Sequence, residues 1–396
     1  TPIIFRGMNG ANSTAQLRFT SQVIDSNYTV WLNGATHVFF ENLTLVNPGA
    51  LLSPSGGTAS PYGIVVKADG ANGSIFNNCA IGGSKITNST TGLANFKISN
   101  SDGFWINNCR INDGAFGIDL NGGNNTIITN NTFRNQHAQG ATFTASIDIE
   151  FSHNEMSSNS GYVTPTNGGL YAAQLVFNNV SGGVNAFANN IYGQDQFPLF
   201  GIAFIGSQGK ANNKNLVYNN FIGIGASYSG FDFGGIALIN SDFTVVSNNN
   251  IAIEGNGGDA SAFLADGGSQ NEVYNNSFAN FGVGKAVVFA TPSTVIASNN
   301  NNLYSTGSNI CDYTGSAFTD LTTWNSIGYD LNSISDDPQY YKSPEDLHVC
   351  NLALNGGGIQ LPFITGDIDN DPKDPNSPDI GADEFTPIAE FNLGAD

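Results

Sequence analysis

The chain has 396 residues with 12 Lys+Arg against 32 Asp+Glu, a formal charge of −20 with histidine neutral, which excludes nucleic-acid binding by phosphate neutralisation because that needs clustered cations. Hydrophobic residues make up 40% of the chain and charged residues only 11%, so it can bury a large core and is not an acidic disordered tail. Its 48 glycines and 55 asparagines are poor helix formers, which argues against an α-helical protein, and no apolar run approaches the roughly 18 residues of a membrane span, so membrane insertion is not expected.

The chain opens on Thr1-Pro2-Ile3-Ile4-Phe5, a strand pattern with no basic and apolar leader ahead of it. We expect it to be a processed product or part of a longer protein. Short β-rich segments ending in an Asn pair then recur at 74–79, 104–109, 126–131, 175–179, 216–220, 244–249, 272–276 and 295–300. The steps 77 to 107, 107 to 130, 219 to 248, 248 to 275 and 275 to 299 are 30, 23, 29, 27 and 24 residues, a drifting period that fits a solenoid whose coils carry loops of variable length and bury their faces on one another. A second set of strands with apolar alternation lies between them, including Gly63-Ile64-Val65, Gly117-Ile118-Asp119, Ser146-Ile147-Asp148, Gly201-Ile202-Ala203 and Gly235-Ile236-Ala237. Two or three strands per coil without a helical period describe an all-β, right-handed, single-stranded parallel β-helix. Asparagine suits its corners because it tolerates the left-handed region and can stack its amide on an equivalent amide one coil away, as a ladder. The rival reading places every Asn pair on the surface. The solenoid is predicted over 1–305. Residues 306–385, where Tyr313-Thr314-Gly315 and Thr323-Trp324-Asn325 break the period, are predicted as an irregular capping segment. Residues 386–396 read as a linker or the start of a following domain.

The Asn-rich coils resemble those of secreted right-handed parallel β-helix repeat proteins. The C-terminal run of Asp337-Pro338-Gln339-Tyr340, Asp346-Leu347-His348-Val349, Asp367-Ile368-Asp369-Asn370-Asp371-Pro372 and Asp379-Ile380-Gly381-Ala382-Asp383-Glu384-Phe385 is similar to the terminal block of large extracellular proteins common in the Bacteroidota. The resemblance covers the whole chain and implies an extracellular or cell-surface location. It does not fix an activity, since that family holds lyases and adhesins alike.

Aligning Ile64, Leu93, Ile118, Ile147, Leu170, Ile202 and Ile236 as one inward column makes Asp119 and Asp148 outward neighbours on adjacent coils, about 4.8 Å apart, with Glu150 facing the same way. Asp119 to Glu150 would then span roughly 8 Å, inside the approximate 6.5–9.5 Å window of inverting glycosidases, and Tyr171 on the next coil could stack on a sugar ring. The bland alternative is solvated surface acids. The Gly-His-Gly and Arg-Ile-Lys elements of pectin-hydrolase β-helices are missing, and Lys67, Lys97, Arg110, Lys210 and Lys214 read as isolated, so a lyase for acidic glycans is disfavoured. The alternate carboxylates Asp367, Asp369 and Asp371 are hard oxygen donors of the kind Ca²⁺ takes, in a structural role. Cys79 and Cys109 hold equivalent positions after their Asn pairs and would form a disulfide if their coils are adjacent. Cys311 and Cys350 form a second candidate bridge. The expected function is a β-helix module for adhesion or binding of a polysaccharide or cell-surface glycan, with flanking domains or homotypic contacts; the alternative is a glycoside hydrolase, ahead of a lyase, using Asp119, Asp148 and Glu150.

Overall fold

The computed structural model describes residues 2–7, 15–52, 60–86, 92–158, 173–193, 200–225 and 232–386. The chain folds as a right-handed parallel β-helix. Each coil lays down three short strands in turn, for example Trp105–Asn107, Arg110–Asn112 and Phe116–Asn121. Stacked coils therefore build three long parallel sheets, here called A, B and C, each of eleven parallel strands among the described residues, with Ser316–Phe318 added antiparallel at the end of sheet C. Parallel pairing leaves no free edge between coils and directs one face of every sheet inward. The inward positions are aliphatic and aromatic and fully buried. Phe40 stacks on Phe76 with centroids 4.7 Å apart, and Phe143, Phe177 and Phe204 form a second stack at 5.4 and 4.6 Å.

Most of the Asn pairs fall at the corner between sheets A and B, whereas Asn178-Asn179 turns from sheet C to sheet A. At the A–B corner an asparagine such as Asn78, Asn108, Asn130, Asn219, Asn248, Asn275 or Asn300 sits at φ between 50 and 57°, a left-handed conformation that asparagine adopts more readily than other residues with a side chain. The residue after the corner, which His153 and Ala188 make on two of the coils, turns inward. Asn131, Asn154, Asn189, Asn220, Asn249, Asn276 and Asn301 are buried and hydrogen-bonded one to the next. Asn220 shows the pattern: its Oδ1 accepts the Asn189 N–H at 3.0 Å and Nδ2 at 2.9 Å, while its own Nδ2 donates to Ala186 O at 3.0 Å and to Asn249 Oδ1 at 2.9 Å. Cys79 and Cys109 occupy this same column on adjacent coils, and the Cys109 backbone N–H donates to Asn131 Oδ1 at 2.8 Å. No coil intervenes between the two cysteines, because Asn77 pairs with Asn107 and Ala80 with Arg110.

Both thiols are free, as are Cys311 and Cys350. The expected Cys311–Cys350 bridge is not formed, for a geometric reason. Cys311 points into the core from sheet C, opposite Val287, whereas Cys350 is exposed on the C-terminal segment, which lies over sheet B.

The period ends in two different structures. Trp324, on the short helix Leu321–Asn325, is fully buried over the last coil against Phe289, Phe318 and Tyr329. Its indole N–H donates to the buried Asp330 carboxylate at 2.8 Å, and that carboxylate also takes the last ladder amide, from Asn301, at 2.8 Å. Residues 336–386 then run back along the outer face of sheet B as a strap. Phe221 and Ala252 of sheet B pack with Leu347 and Ala382 of the strap, flanked by Phe281, Tyr340 and Ile368. A Cβ at Gly223 would collide with the Pro344 carbonyl, so the strap's close approach requires glycine there. Residues 387–396 of the expected linker lie outside the described residues.

Two consequences are measurable by chemical denaturation. Asn220→Ala strands polar groups of Asn189, Asn249 and Ala186 in the interior and should cost about 2–3 kcal/mol; an unchanged midpoint would mean that the ladder is not structural. Trp324→Ala should cost about 3–5 kcal/mol, with loss of the near-ultraviolet signal of the aromatic cap.

Candidate functional site

The registered coils write stripes on the outer face of sheet A. Ile4, Phe39, Ile75, Trp105 and Ile127 follow one another on successive rungs, and Glu150 is next. Trp105 and Ile127 are 38% and 37% exposed, so this is an open apolar track. The parallel outward row reads Thr129, Ser152, Phe187 and Tyr218. Ser152 Oγ lies 2.9 Å from Glu150 Oε1 and ties the two rows together.

The second row runs on into a cleft of about 240 Å³ that Phe187 and Tyr218 share with the strap. Phe187 and Tyr218 stack face to face with centroids 4.9 Å apart, His153 stands edge-on to Phe187 at 5.3 Å, and Phe363 of the strap stands edge-on to Tyr218 at 5.5 Å. Burial, then the nearby Glu150 charge, pushes the Tyr218 phenol up to about 12, so it stays a neutral donor at physiological pH. Asn219 also lines the cleft. Its Nδ2 donates to Gly366 O at 2.7 Å, but its buried Oδ1 has no partner. A buried acceptor left open in this way can take a ligand's hydroxyl or amide hydrogen. Aromatic faces beside a carboxylate and a free amide oxygen form the donor, acceptor and stacking set of a carbohydrate subsite.

The predicted residues are distributed differently from the expectation. Glu150 flanks the cleft. Asp148 is on the same strand but at φ 52°, and its Oδ1 accepts from Asn213 Nδ2 at 3.1 Å. Asp119 is on sheet C, where its neighbours are Lys97 and Thr142. Asp119 and Asp148 are therefore not ladder neighbours, and no Asp119–Glu150 pair is built across one face. The inward column of sheet C runs Ile118, Ala141, Leu175, Ile202 and Ile236; Ile147 belongs to the strand after the corner, in sheet A, where Asn124 is its partner. Tyr171 lies outside the described residues. Lys67 and Lys97 are not isolated but adjacent on sheet C. Lys97 pairs with Asp119 at 3.5 Å and Lys67 with Asp69 at 3.6 Å. Burial raises the Asp119 carboxyl above its usual value, and Lys97 partly offsets this.

The Asp367-x-Asp369-x-Asp371 run does not aim three carboxylates at one point. Asp367 is buried and its carboxylate takes the backbone N–H of Asp369 at 2.9 Å, Asp371 at 2.8 Å and Glu384 at 3.0 Å, so it organises a turn. Asp369 instead reaches His348, whose Nε2 lies 2.7 Å from Asp369 Oδ2 and whose Nδ1 lies 2.5 Å from Asp346 Oδ1. Burial alone would depress this imidazole, but the two carboxylates hold it up at about 9. Sequence reasoning missed His153, Phe187, Tyr218 and Phe363. Phe187 and Tyr218 sit at one strand-end position of successive coils and His153 at the corner position that follows it, a signal available from the Asn-pair alignment, whereas Phe363 carries no periodic mark.

Fold and surface together define a parallel β-helix protein with a strapped outer face. No family model and no curated protein matches the chain. Among solved structures, it is similar to a double mutant of the periplasmic alginate epimerase AlgG, at 13% identity and TM-score 0.50, covering 84% of this chain and 75% of that one. It is also similar to the Dettilon tailspike protein, at 14% identity and TM-score 0.46, covering 79% and 60%. The surface adhesin PfbA of Streptococcus pneumoniae is a further neighbour, at 10% identity and TM-score 0.35, covering 84% of each chain. The first of these likenesses agrees with the fold described above.

The strap next to the cleft carries a pH dependence of its own. Asp379 accepts the Gly356 N–H at 2.6 Å and the Phe385 N–H at 2.9 Å, yet burial lifts its carboxyl to about 6. A folded value above the unfolded one of about 3.9 means that ionisation opposes folding. Its stabilising contribution is therefore complete below pH 4 and is lost as the pH rises through 6. Relative to Asp379→Asn, the wild type should lose stability between pH 4 and 6.5 and then level off in thermal melts; a flat or opposite difference would refute the assignment.

Proposed function

We propose that this chain is a secreted or cell-surface β-helix module that binds polysaccharide along the outer face of sheet A, with the cleft at His153, Phe187, Tyr218, Asn219 and Phe363 as its principal subsite. The observation that carries the reading is an aromatic cleft holding the unpartnered Asn219 Oδ1, on the same sheet face as the exposed apolar row through Trp105 and Ile127 and one row away from it. A chain of sugars presents alternating apolar faces and hydroxyls, which such a track and cleft complement. The charge of −20 favours neutral over polyanionic chains. The neighbouring alginate epimerase acts on a polysaccharide from the same fold. The C-terminal block fits a module of a larger extracellular protein of the type found in the Bacteroidota, with flanking domains or homotypic contacts.

Binding is preferred over hydrolysis because the carboxylates near Glu150 are engaged elsewhere: Asp148 accepts from Asn213 Nδ2. Asp119 lies on another sheet, and Asp367, which lines the cleft, is held by three backbone N–H groups. The test is affinity electrophoresis of the purified chain in gels cast with neutral and acidic polysaccharides, together with an assay for released reducing ends. Retention on a neutral polysaccharide without product is expected, and Tyr218→Ala or Trp105→Ala should each weaken it roughly tenfold, the loss of about 1.4 kcal/mol of stacking. Retention unaffected by both variants would sink the proposed face. Reducing ends that vanish in Glu150→Gln would establish the hydrolase instead.

A further inference from the structure

Besides the cleft, the strap holds a second constellation that the glycan reading does not use. His348, Asp369 and Asp383 come from three separate stretches of the strap. One ring nitrogen and one oxygen from each carboxylate lie within 4.8 Å of one another, the only such group of three among the described residues. Each member is held from behind. The His348 ring stands edge-on to Phe221 of sheet B at 4.9 Å. Its Nδ1 faces Asp346 Oδ1 at 2.5 Å, and that same oxygen accepts the His348 backbone N–H at 3.2 Å. Asp383 Oδ2 accepts the Val349 N–H at 3.1 Å. Asp369 is the open side, with its side chain 56% exposed.

A carboxylate on the far nitrogen of an imidazole fixes the tautomer and leaves the other nitrogen as a lone-pair donor; metal-ligating histidines carry this arrangement. With Asp346 accepting from Nδ1–H, a cation that displaces the Nε2 proton now shared with Asp369 finds the lone pair of that nitrogen aimed into the site. We propose that His348 Nε2, Asp369 and Asp383 bind a first-row divalent cation of the Zn²⁺ type, which replaces the hydrogen bond between His348 and Asp369 and pins the strap over sheet B. One imidazole nitrogen and two carboxylates neutralise a divalent ion and leave its solvent side to water. The mixed nitrogen and oxygen donor set suits zinc or manganese, whereas calcium prefers six to eight oxygens. The site shares only Asp369 with the Asp-x-Asp-x-Asp run and is independent of any glycan.

The test uses the full chain after chelator treatment, titrated by calorimetry with ZnCl₂, MnCl₂ and CaCl₂, with thermal melts alongside. One equivalent of Zn²⁺ should bind and raise the melting temperature, with Ca²⁺ at least tenfold weaker. Asp369→Asn, on the exposed side where folding is least at risk, should lower Zn²⁺ affinity tenfold or more and abolish the thermal shift; His348→Gln should do the same. Asp346→Asn, which touches no metal, should lower affinity by about tenfold through the tautomer it no longer fixes. Absence of stoichiometric Zn²⁺ binding would overturn the proposal. So would binding that survives Asp369→Asn and His348→Gln, which would place the ion at other histidines, or a preference for Ca²⁺.

Discussion

The buried amide ladder between Asn131 and Asn301 is the constraint from which the rest of this molecule follows. A parallel coil must turn sharply three times, and each turn leaves backbone groups that the sheets do not satisfy. Here the corner from sheet A to sheet B is solved by one repeated unit. A left-handed residue, most often asparagine, makes the turn; the next residue's amide oxygen accepts an N–H of the preceding coil, and its amide nitrogen donates to a carbonyl of that preceding coil and to the amide oxygen of the following one. Because each amide bonds the next, a coil cannot slip by one residue without stranding two polar side chains in the core. The outward rows of sheet A inherit that register, which is why Trp105, Ile127 and Glu150 fall in line.

Much of the fold was legible because this unit is local in sequence. The Asn pairs marked the corners, and their drifting spacing gave the coil. The column chosen for sheet C was less secure. Ile147 follows the strand Gln139–Thr144, whose inward residues are the small Ala141 and the aromatic Phe143 rather than the Ile-rich pattern seen elsewhere. An alignment guided by isoleucine therefore jumped the corner into sheet A and set Asp148 beside Asp119. The glycines before the column, Gly117, Gly140, Gly201 and Gly235, were the better guide. They lie where a Cβ would strike inward side chains or backbone of the neighbouring coil. The cleft was half legible. His153, Phe187 and Tyr218 follow the period, but Phe363 and the partner groups of His348 are brought in by an aperiodic strap that folds back over coils laid down far earlier in the chain.

The strap also explains what so acidic a C-terminus is for. Asp367, Asp374, Asp379 and Asp383 spend their oxygens on backbone N–H groups. Carboxylates suit a segment with almost no regular secondary structure, since each can satisfy two or three such donors at once. The buried Lys373 answers part of the charge through Glu384 at 3.2 Å and the carbonyls of Gly381 and Asp383. The acids are thus the strap's substitute for a sheet.

The strap is anchored by side chains that belong to particular coils. Asn190 donates to Glu345 O, Asn219 to Gly366 O, Asn248 to Gly381 O, Asn275 to Ile359 O, Asn300 to Gly357 O and Asn302 to Asp336 O. These are the same corner and sheet B positions that elsewhere bond only to other coils. A segment fastened at fixed intervals to a stack acts as a gauge of its height. Between Asn190 and Asn302 a coil can be neither added nor lost without unfastening the strap. Among the described residues no such gauge lies against the earlier coils, so whole coils can be gained or dropped there by duplication while the cleft and the strap stay as they are. Variation in the reach of this molecule should therefore accumulate at one end, away from its most elaborate surface.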